Sequence, residues 1–158
     1  MMNDVYPIFV YRLDERNHVE IFSNGFQSWG QDEDILKHIT GASTRNHTSA
    51  YIATSSDVNY LKKFAYLYGR SQRMFKGNTP ETLYVYKIRN QPNMISVKDF
   101  IARNNLTLPP SISFTDRQNE YLVLRKINKF DIVECQPYRL NADRTTYSQA
   151  EKIRNEYR

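Results

Sequence analysis

The chain is poor in residues that commonly impose covalent or metal-built architecture. Its single cysteine, Cys135, cannot form an internal disulfide, so nothing forces an oxidising compartment and the fold rests on its core. Three scattered histidines and that cysteine give no close ligand spacing, and no metal site is expected. Five glycines and six prolines are too few for a collagen-like or flexible low-complexity chain. No apolar run of about 18 residues exists to cross a bilayer, which argues against a membrane-spanning helix. There is no Gly-rich phosphate loop, no nucleophile constellation and no internal repeat. Met1 to Val10 lacks the basic segment of a secretory signal, so no signal peptide is visible.

What is present suits one globular domain. The 158 residues are 40% hydrophobic and 25% charged, with 12 tyrosines and 8 phenylalanines to fill a core. The net charge of +5 favours contact with something acidic or phosphate-bearing, or simply keeps a small domain soluble.

Residues 7–13 read as a short apolar strand opened by proline, with Arg12 near its end and Asp14 and Arg16 just beyond. Gly25 to Gly30 is a loop holding Phe26 and Trp29. Asp32 to Asp34 place carboxylates at the start of a helix carrying Ile35, Leu36, His38 and Ile39, closed by Gly41. A polar loop over 42–49 leads to strand-like Tyr51 to Ser55. Val58, Leu61, Phe64, Ala65 and Tyr68 then predict an amphipathic helix over 57–69. Thr82 to Ile88 is the clearest strand, and a short helix is expected at 97–102. A polar loop runs from Pro109 to Asn119. Tyr121 to Leu124 suits a strand buried on both faces, and 131–139 predicts another strand. From about Asn141 the chain is polar, reading as a tail or linker with a helix over 148–157. Helices in the first half and strands in the second predict an α+β fold.

Three elements could carry chemistry. Arg12 is either a structural ion pair, with Asp14 and Asp57 as partners, or a ligand clamp. Thr54 and Ser55 put hydroxyls on a strand. Glu120, placed directly before an apolar strand, is either a rim residue or a working carboxylate, because burying an unpaired carboxylate is costly.

In this order the residues resemble the bacterial mono-ADP-ribosyltransferase toxins of the cholera, heat-labile enterotoxin and pertussis group. The resemblance rests on Tyr11-Arg12-Leu13-Asp14-Glu15-Arg16, on Ile21 to Phe26 with Trp29-Gly30, on Leu36 to Gly41, and on Tyr84 to Ile88 with Pro92 to Asp99. It implies a fold of two small mixed β-sheets forming a cleft for nicotinamide adenine dinucleotide (NAD), with helices mainly from the N-terminal half. It implies a catalytic domain over 1–140 and a C-terminal tail over 141–158. Arg12, Tyr11, Thr54 and Ser55 would bind NAD; Glu120, Gln118 and His38 would be catalytic; Phe114 would recognise the target. Ala53 stands where the family has the first serine of Ser-Thr-Ser, so that serine's role would pass to Ser55 or Thr54. Gln118 is glutamate in the arginine-modifying branch, and a neutral amide does not attract a guanidinium, so an acceptor other than arginine is implied.

The expected function is NAD cleavage with transfer of ADP-ribose to a host macromolecule, a GTP-binding or other signalling protein among the candidates. The chain would be a secreted or injected effector acting in the host cytosol, with delivery subunits not visible here. The alternatives are an NAD glycohydrolase, with water as acceptor, and a basic module binding nucleic acid through tyrosines set among lysines and arginines.

Overall fold

A computed structural model of the protein describes residues 6–63, 79–109 and 119–156. Its main sheet has eight strands: β1 (Phe9–Asp14), β3 (Tyr51–Ser55), β4 (Thr82–Arg89), β5 (Ile95–Ser96), β6 (Glu120–Leu124), β8 (Ile132–Leu140), β9 (Tyr147–Gln149) and β10 (Ile153–Arg154). They run in the order β10-β8-β4-β1-β3-β6-β5, with β9 also on β8. A second, two-stranded sheet pairs β2 (Phe26–Gln27) with β7 (Lys126–Ile127). The helices are α1 (His18–Asn24), α2 (Ile35–Thr40), α3 (Ala42–Arg45), α4 over 58–63, and α5 (Val97–Arg103). The α+β architecture is therefore as expected, with α1 to α4 in the N-terminal half and antiparallel pairing between the strands. The remainder of the helix predicted over 57–69 lies outside the described residues.

β4 is an interior strand of the sheet, where its β-branched and aromatic residues bury well on a pleated surface. It pairs with β1 along the whole of that strand, from Phe9↔Arg89 to Asp14↔Tyr84, and with β8 on its other side. β3 pairs with β6 over five residues, but β1 and β3 pair only at Tyr11↔Ser55. From that pair the two strands diverge, and the opening between them is where the candidate site lies.

Three apolar clusters hold this arrangement. The largest joins Val10, Phe26, Ile52, Tyr86, Val123 and Ile132. Cys135 is buried in it, a free thiol whose pKa burial pushes up to about 12, so the residue acts as core filling. A second cluster packs α2 and α5, through Ile39, Val97 and Ile101, on Tyr51 and Leu122. The third joins Leu83, Val85, Tyr138 and Tyr147, with Tyr11, Leu13, Val58 and Leu61 packed against it.

Two local features depart from the sequence reading. Residues 18–24 are helical because Asn17 caps the Val19 N–H at 2.7 Å while Ile21 and Phe22 supply buried contacts. Gly25 closes that helix at φ 73°, and a Cβ there would lie 2.3 Å from the Ile127 carbonyl oxygen. The helix expected over 148–157 is instead β9 and β10, antiparallel to β8. β8 would otherwise present an unpaired edge, and the Asn155 amide fixes the return by donating to the carbonyls of Lys129 and Ile132. Residues 141–156 thus contribute strands to the main sheet.

Candidate active site

Arg12 is the residue after the single β1–β3 pair, and its guanidinium spans the opening. It donates to the Ala53 carbonyl at 2.9 Å, and its Nε donates to Asp14 Oδ2 at 3.0 Å. Asp14 also accepts from the Arg16 backbone N–H and from two nitrogens of the Arg16 side chain, at 2.8 to 2.9 Å. Burial pushes the Asp14 pKa up, but hydrogen bonds from Arg16 and the charges of Arg12 and Arg16 outweigh it and hold the carboxyl below its usual range. Arg12 is thus an ion pair with Asp14 that also braces the opening through Ala53. Asp57 instead caps α4, accepting from the N–H groups of Asn59 and Tyr60.

The two guanidiniums lie over the buried ring of Phe26, at 5.5 Å for Arg12 and 5.2 Å for Arg16. Arg16 is also 4.6 Å from the half-exposed Trp29 ring, and Trp29 in turn stacks on His47 at 5.1 Å. The result is a column of rings and cations beside the opening, which fixes Trp29 although its side chain is largely in solvent.

The loop bearing Trp29 is laced to the segment before β3. Gly30 donates to Ser49 O at 3.0 Å, Asp32 to Thr48 O at 2.8 Å, and Ala50 to Asp32 O at 2.8 Å. A side chain at position 30 would meet the Thr48 backbone at 2.3 Å, so only glycine permits the approach. This places Ser49 Oγ 2.7 Å from His38 Nδ1 in the interior. The same oxygen accepts the Tyr51 N–H at 3.0 Å, so Ser49 ties the His38 ring to the start of β3. The His38 ring also meets Tyr51 edge-on at 6.1 Å. Arg12, Trp29, His38, Ser43, Thr44, His47, Ser49, Tyr51 and Ala53 line one cavity of about 140 Å³.

Glu120 opens β6 directly opposite Ser55 and is half-buried. Side chains directly opposite in a sheet share a face, and Ala53, two residues along from Ser55, lines the Arg12 cavity. Ser55 and Glu120 therefore share the Ala53 side of β3 and β6, beside the cavity but outside the residues that line it, with Ser55 Oγ accepting the Asp57 N–H at 3.0 Å. Thr54 is turned the other way. Its hydroxyl donates to the Tyr121 carbonyl at 2.9 Å, tying β3 to β6, so it does not share the cavity. Tyr11 also departs from the expected grouping. Adjacent strand residues face opposite ways, and its ring lies against a second cavity with Val58, Lys62, Lys87 and Glu134. Gln118 and Phe114 lie outside the described residues.

Trp29, His47, Ser49, Asp14 and Arg16 belong to the cavity or its wall but were not singled out as site residues from sequence. An arginine–aspartate–arginine alternation on a strand end and a glycine-bounded tryptophan were the available signals. Ser49 had none, because its role depends on how Gly30 meets Thr48. Among the described residues no group of three His, Cys, Asp or Glu gathers as a metal site, and no helix is long and apolar enough to cross a membrane.

The sequence model of the family described as pertussis toxin, subunit 1 matches residues 6–107, which include Arg12, Trp29, His38 and Ser55 but not Glu120. The pertussis toxin subunit 1 homolog of Bordetella parapertussis is 36% identical over 95 residues, 55% of this chain and 35% of that protein. The chain thus spans about a third of that relative's length (35%). The ADP-ribosylating toxin CARDS of Mycoplasma pneumoniae is 35% identical over 81 residues, 51% of this chain and 13% of that protein. Among solved structures, EcPltA superposes with a TM-score of 0.78 at 24% identity, covering 95% of this chain and 86% of that one. The scabin toxin from Streptomyces scabies in complex with NADH superposes with a TM-score of 0.58 at 21% identity, covering 94% of this chain and 74% of that one. These likenesses show the fold, that of ADP-ribosylating toxins, over nearly the whole chain. The family match over residues 6–107 shows the rest: the chain belongs to the pertussis toxin subunit 1 family.

Proposed function

We propose that this chain breaks the bond between nicotinamide and ribose in NAD and transfers the ADP-ribose to an acceptor on a host macromolecule. The observation that carries this reading is the fixed guanidinium of Arg12, held by Asp14 and Ala53 on a cavity that also presents His38 and Trp29, in a chain of this family. An arginine already braced on two sides meets a pyrophosphate or carbonyl oxygen with little ordering cost.

Glu120 supplies the negative charge. As the glycosidic bond breaks, its electron pair leaves with neutral nicotinamide and the anomeric carbon becomes oxocarbenium-like. A carboxylate beside the cavity stabilises that cation and accepts a hydrogen bond from a ribose hydroxyl. The acceptor nucleophile then bonds to the anomeric carbon and releases its proton. Ser55, opposite Glu120, orients the carboxylate in place of the serine that Ala53 replaces. His38, which lines the same cavity, meets the ribose side of the dinucleotide. Gln118, two residues before Glu120 in the sequence, is neutral, which favours an acceptor other than arginine, with Phe114 contacting the target.

The names of the relatives support this reading: CARDS is an ADP-ribosylating toxin, and scabin was solved with NADH. By the same likeness the chain is a secreted or injected effector that acts on a host protein in the cytosol. The test is incubation of the protein with tagged NAD and eukaryotic lysate. Nicotinamide release together with a labelled macromolecule supports transfer; release without a label identifies a glycohydrolase; no release removes the proposal.

A further inference from the structure

A second cavity, of about 120 Å³, lies on the side of β1 opposite to Arg12. Its sheet wall follows from the strand register: Tyr11 on β1, Lys87 on β4 and Glu134 on β8 stand in one row across three strands. Lys62 reaches it from α4 and Lys152 from the segment between β9 and β10. Three ammonium groups, from a helix, a strand and a connecting segment, are thus gathered around one carboxylate. Lys87 stands directly opposite Glu134, the placement of a cross-strand ion pair, yet the two do not pair. Glu134 instead meets Lys152 at 3.6 Å, and the Lys87 ammonium lies 4.2 Å from the centre of the Phe9 ring, on the same face of β1 as Tyr11. Among the described residues neither Lys62 nor Lys87 makes an ion pair, although both are half-buried. Two positive charges in a partly desolvated pocket are left uncompensated, and like charges repel more strongly there than in water.

We propose that this cavity is an anion site that takes a phosphate group between Lys62, Lys87 and Lys152. An ammonium on a flexible stem meets a phosphate oxygen as a point charge and needs no fixed fork, so lysines from separate elements can converge on one group. The Tyr11 hydroxyl is a neutral donor beside them: burial and the charge of Glu134 raise its pKa, so it keeps its proton. The cavity takes one phosphoryl group and not a dinucleotide, because pockets that enclose drug-sized ligands start at about 300 Å³. Glu134 is the internal competitor, since it already holds the Lys152 ammonium. The site lies apart from the Arg12 cavity, so phosphate binding here and NAD cleavage there fail independently.

The experiment titrates wild type, Lys62→Gln, Lys87→Gln, Glu134→Gln and Lys37→Gln with inorganic phosphate and, separately, with glycerol 3-phosphate, by calorimetry at neutral pH and low salt. Wild type should bind a single phosphate per chain with a Kd of about 1 mM or tighter. Lys62→Gln and Lys87→Gln should each weaken binding roughly three- to tenfold, the scale of one charge at a partly exposed site. Lys37→Gln, which removes the same charge from an exposed position on α2, should change nothing. Glu134→Gln should tighten binding, because it frees Lys152 and removes the competing negative charge. Binding of inorganic phosphate alone assigns the site to the free ion; equal affinity for the monoester assigns it to a phosphoryl end group whose substituent lies in solvent. Absence of saturable binding in wild type overturns the proposal. So does binding that is indifferent to both cavity lysines, that falls as much in Lys37→Gln, or that weakens in Glu134→Gln.

Discussion

Arg12 and Ala53 are joined by a hydrogen bond of 2.9 Å that crosses the gap where β1 and β3 separate. The strand pairing that would have closed this gap stops after Tyr11↔Ser55, so a side chain does what a backbone ladder does elsewhere in the sheet. One residue thereby holds the cavity open and presents a cation to it. Arg12→Lys should fail at both tasks, because an ammonium is a point charge and cannot keep the forked geometry toward Asp14 and Ala53. Nicotinamide release should drop on the order of 10²-fold, the scale of losing one fixed electrostatic donor.

Asp14 is buried between two guanidiniums, and its removal takes from both the carboxylate that they share. Asp14→Ala should destabilise the protein by about 3 kcal/mol, measured by urea unfolding at neutral pH.

The same carboxyl sets a pH dependence. Its folded-state pKa lies below the unfolded value of about 3.9, so its stabilisation is present above that pH and is lost as the pH falls through the folded value. Wild type should therefore lose stability below about pH 4. Asp14→Asn, less stable at neutral pH, should show a shallower decline over that acid range; an equal slope in the two proteins would contradict the account.

Gly30 is a packing prediction. Gly30→Ala places a methyl 2.3 Å from the Thr48 backbone and forces apart the hydrogen bonds from Gly30 to Ser49 and from Asp32 to Thr48. Unfolding measurements should show a loss of about 1–3 kcal/mol, and activity should fall further, because Trp29 and Ser49 move with the loop.

Much of this arrangement was legible in the sequence, and the failures have physical causes. Strands β1, β3, β4, β6 and β8 announce themselves through β-branched and aromatic composition, and α2 through the Asp34 cap and Gly41 stop. Their long-range placement did not. That Ser55 shares a side with Ala53 while Thr54 does not follows from alternation once the strand is assigned, and Tyr11 is separated from Arg12 by the same alternation, which its place in a shared motif concealed. The C-terminal strands were missed because β9 and β10 are short and polar; they exist because β8 offers them an edge, a tertiary effect with no local signal. Ser49 and Ser43 read as loop residues because their burial depends on Gly30 and Thr48 meeting across the chain.

The central claim is that Glu120, in register with Ser55 beside the cavity, stabilises the cation formed as NAD loses nicotinamide. The most direct measurement is nicotinamide release by wild type and Glu120→Gln, with NAD affinity measured in parallel by titration calorimetry. The amide keeps the size of the carboxylate and removes its charge, so release should fall on the order of 10²-fold or more while NAD affinity changes little. Equal release by the two proteins would contradict the account.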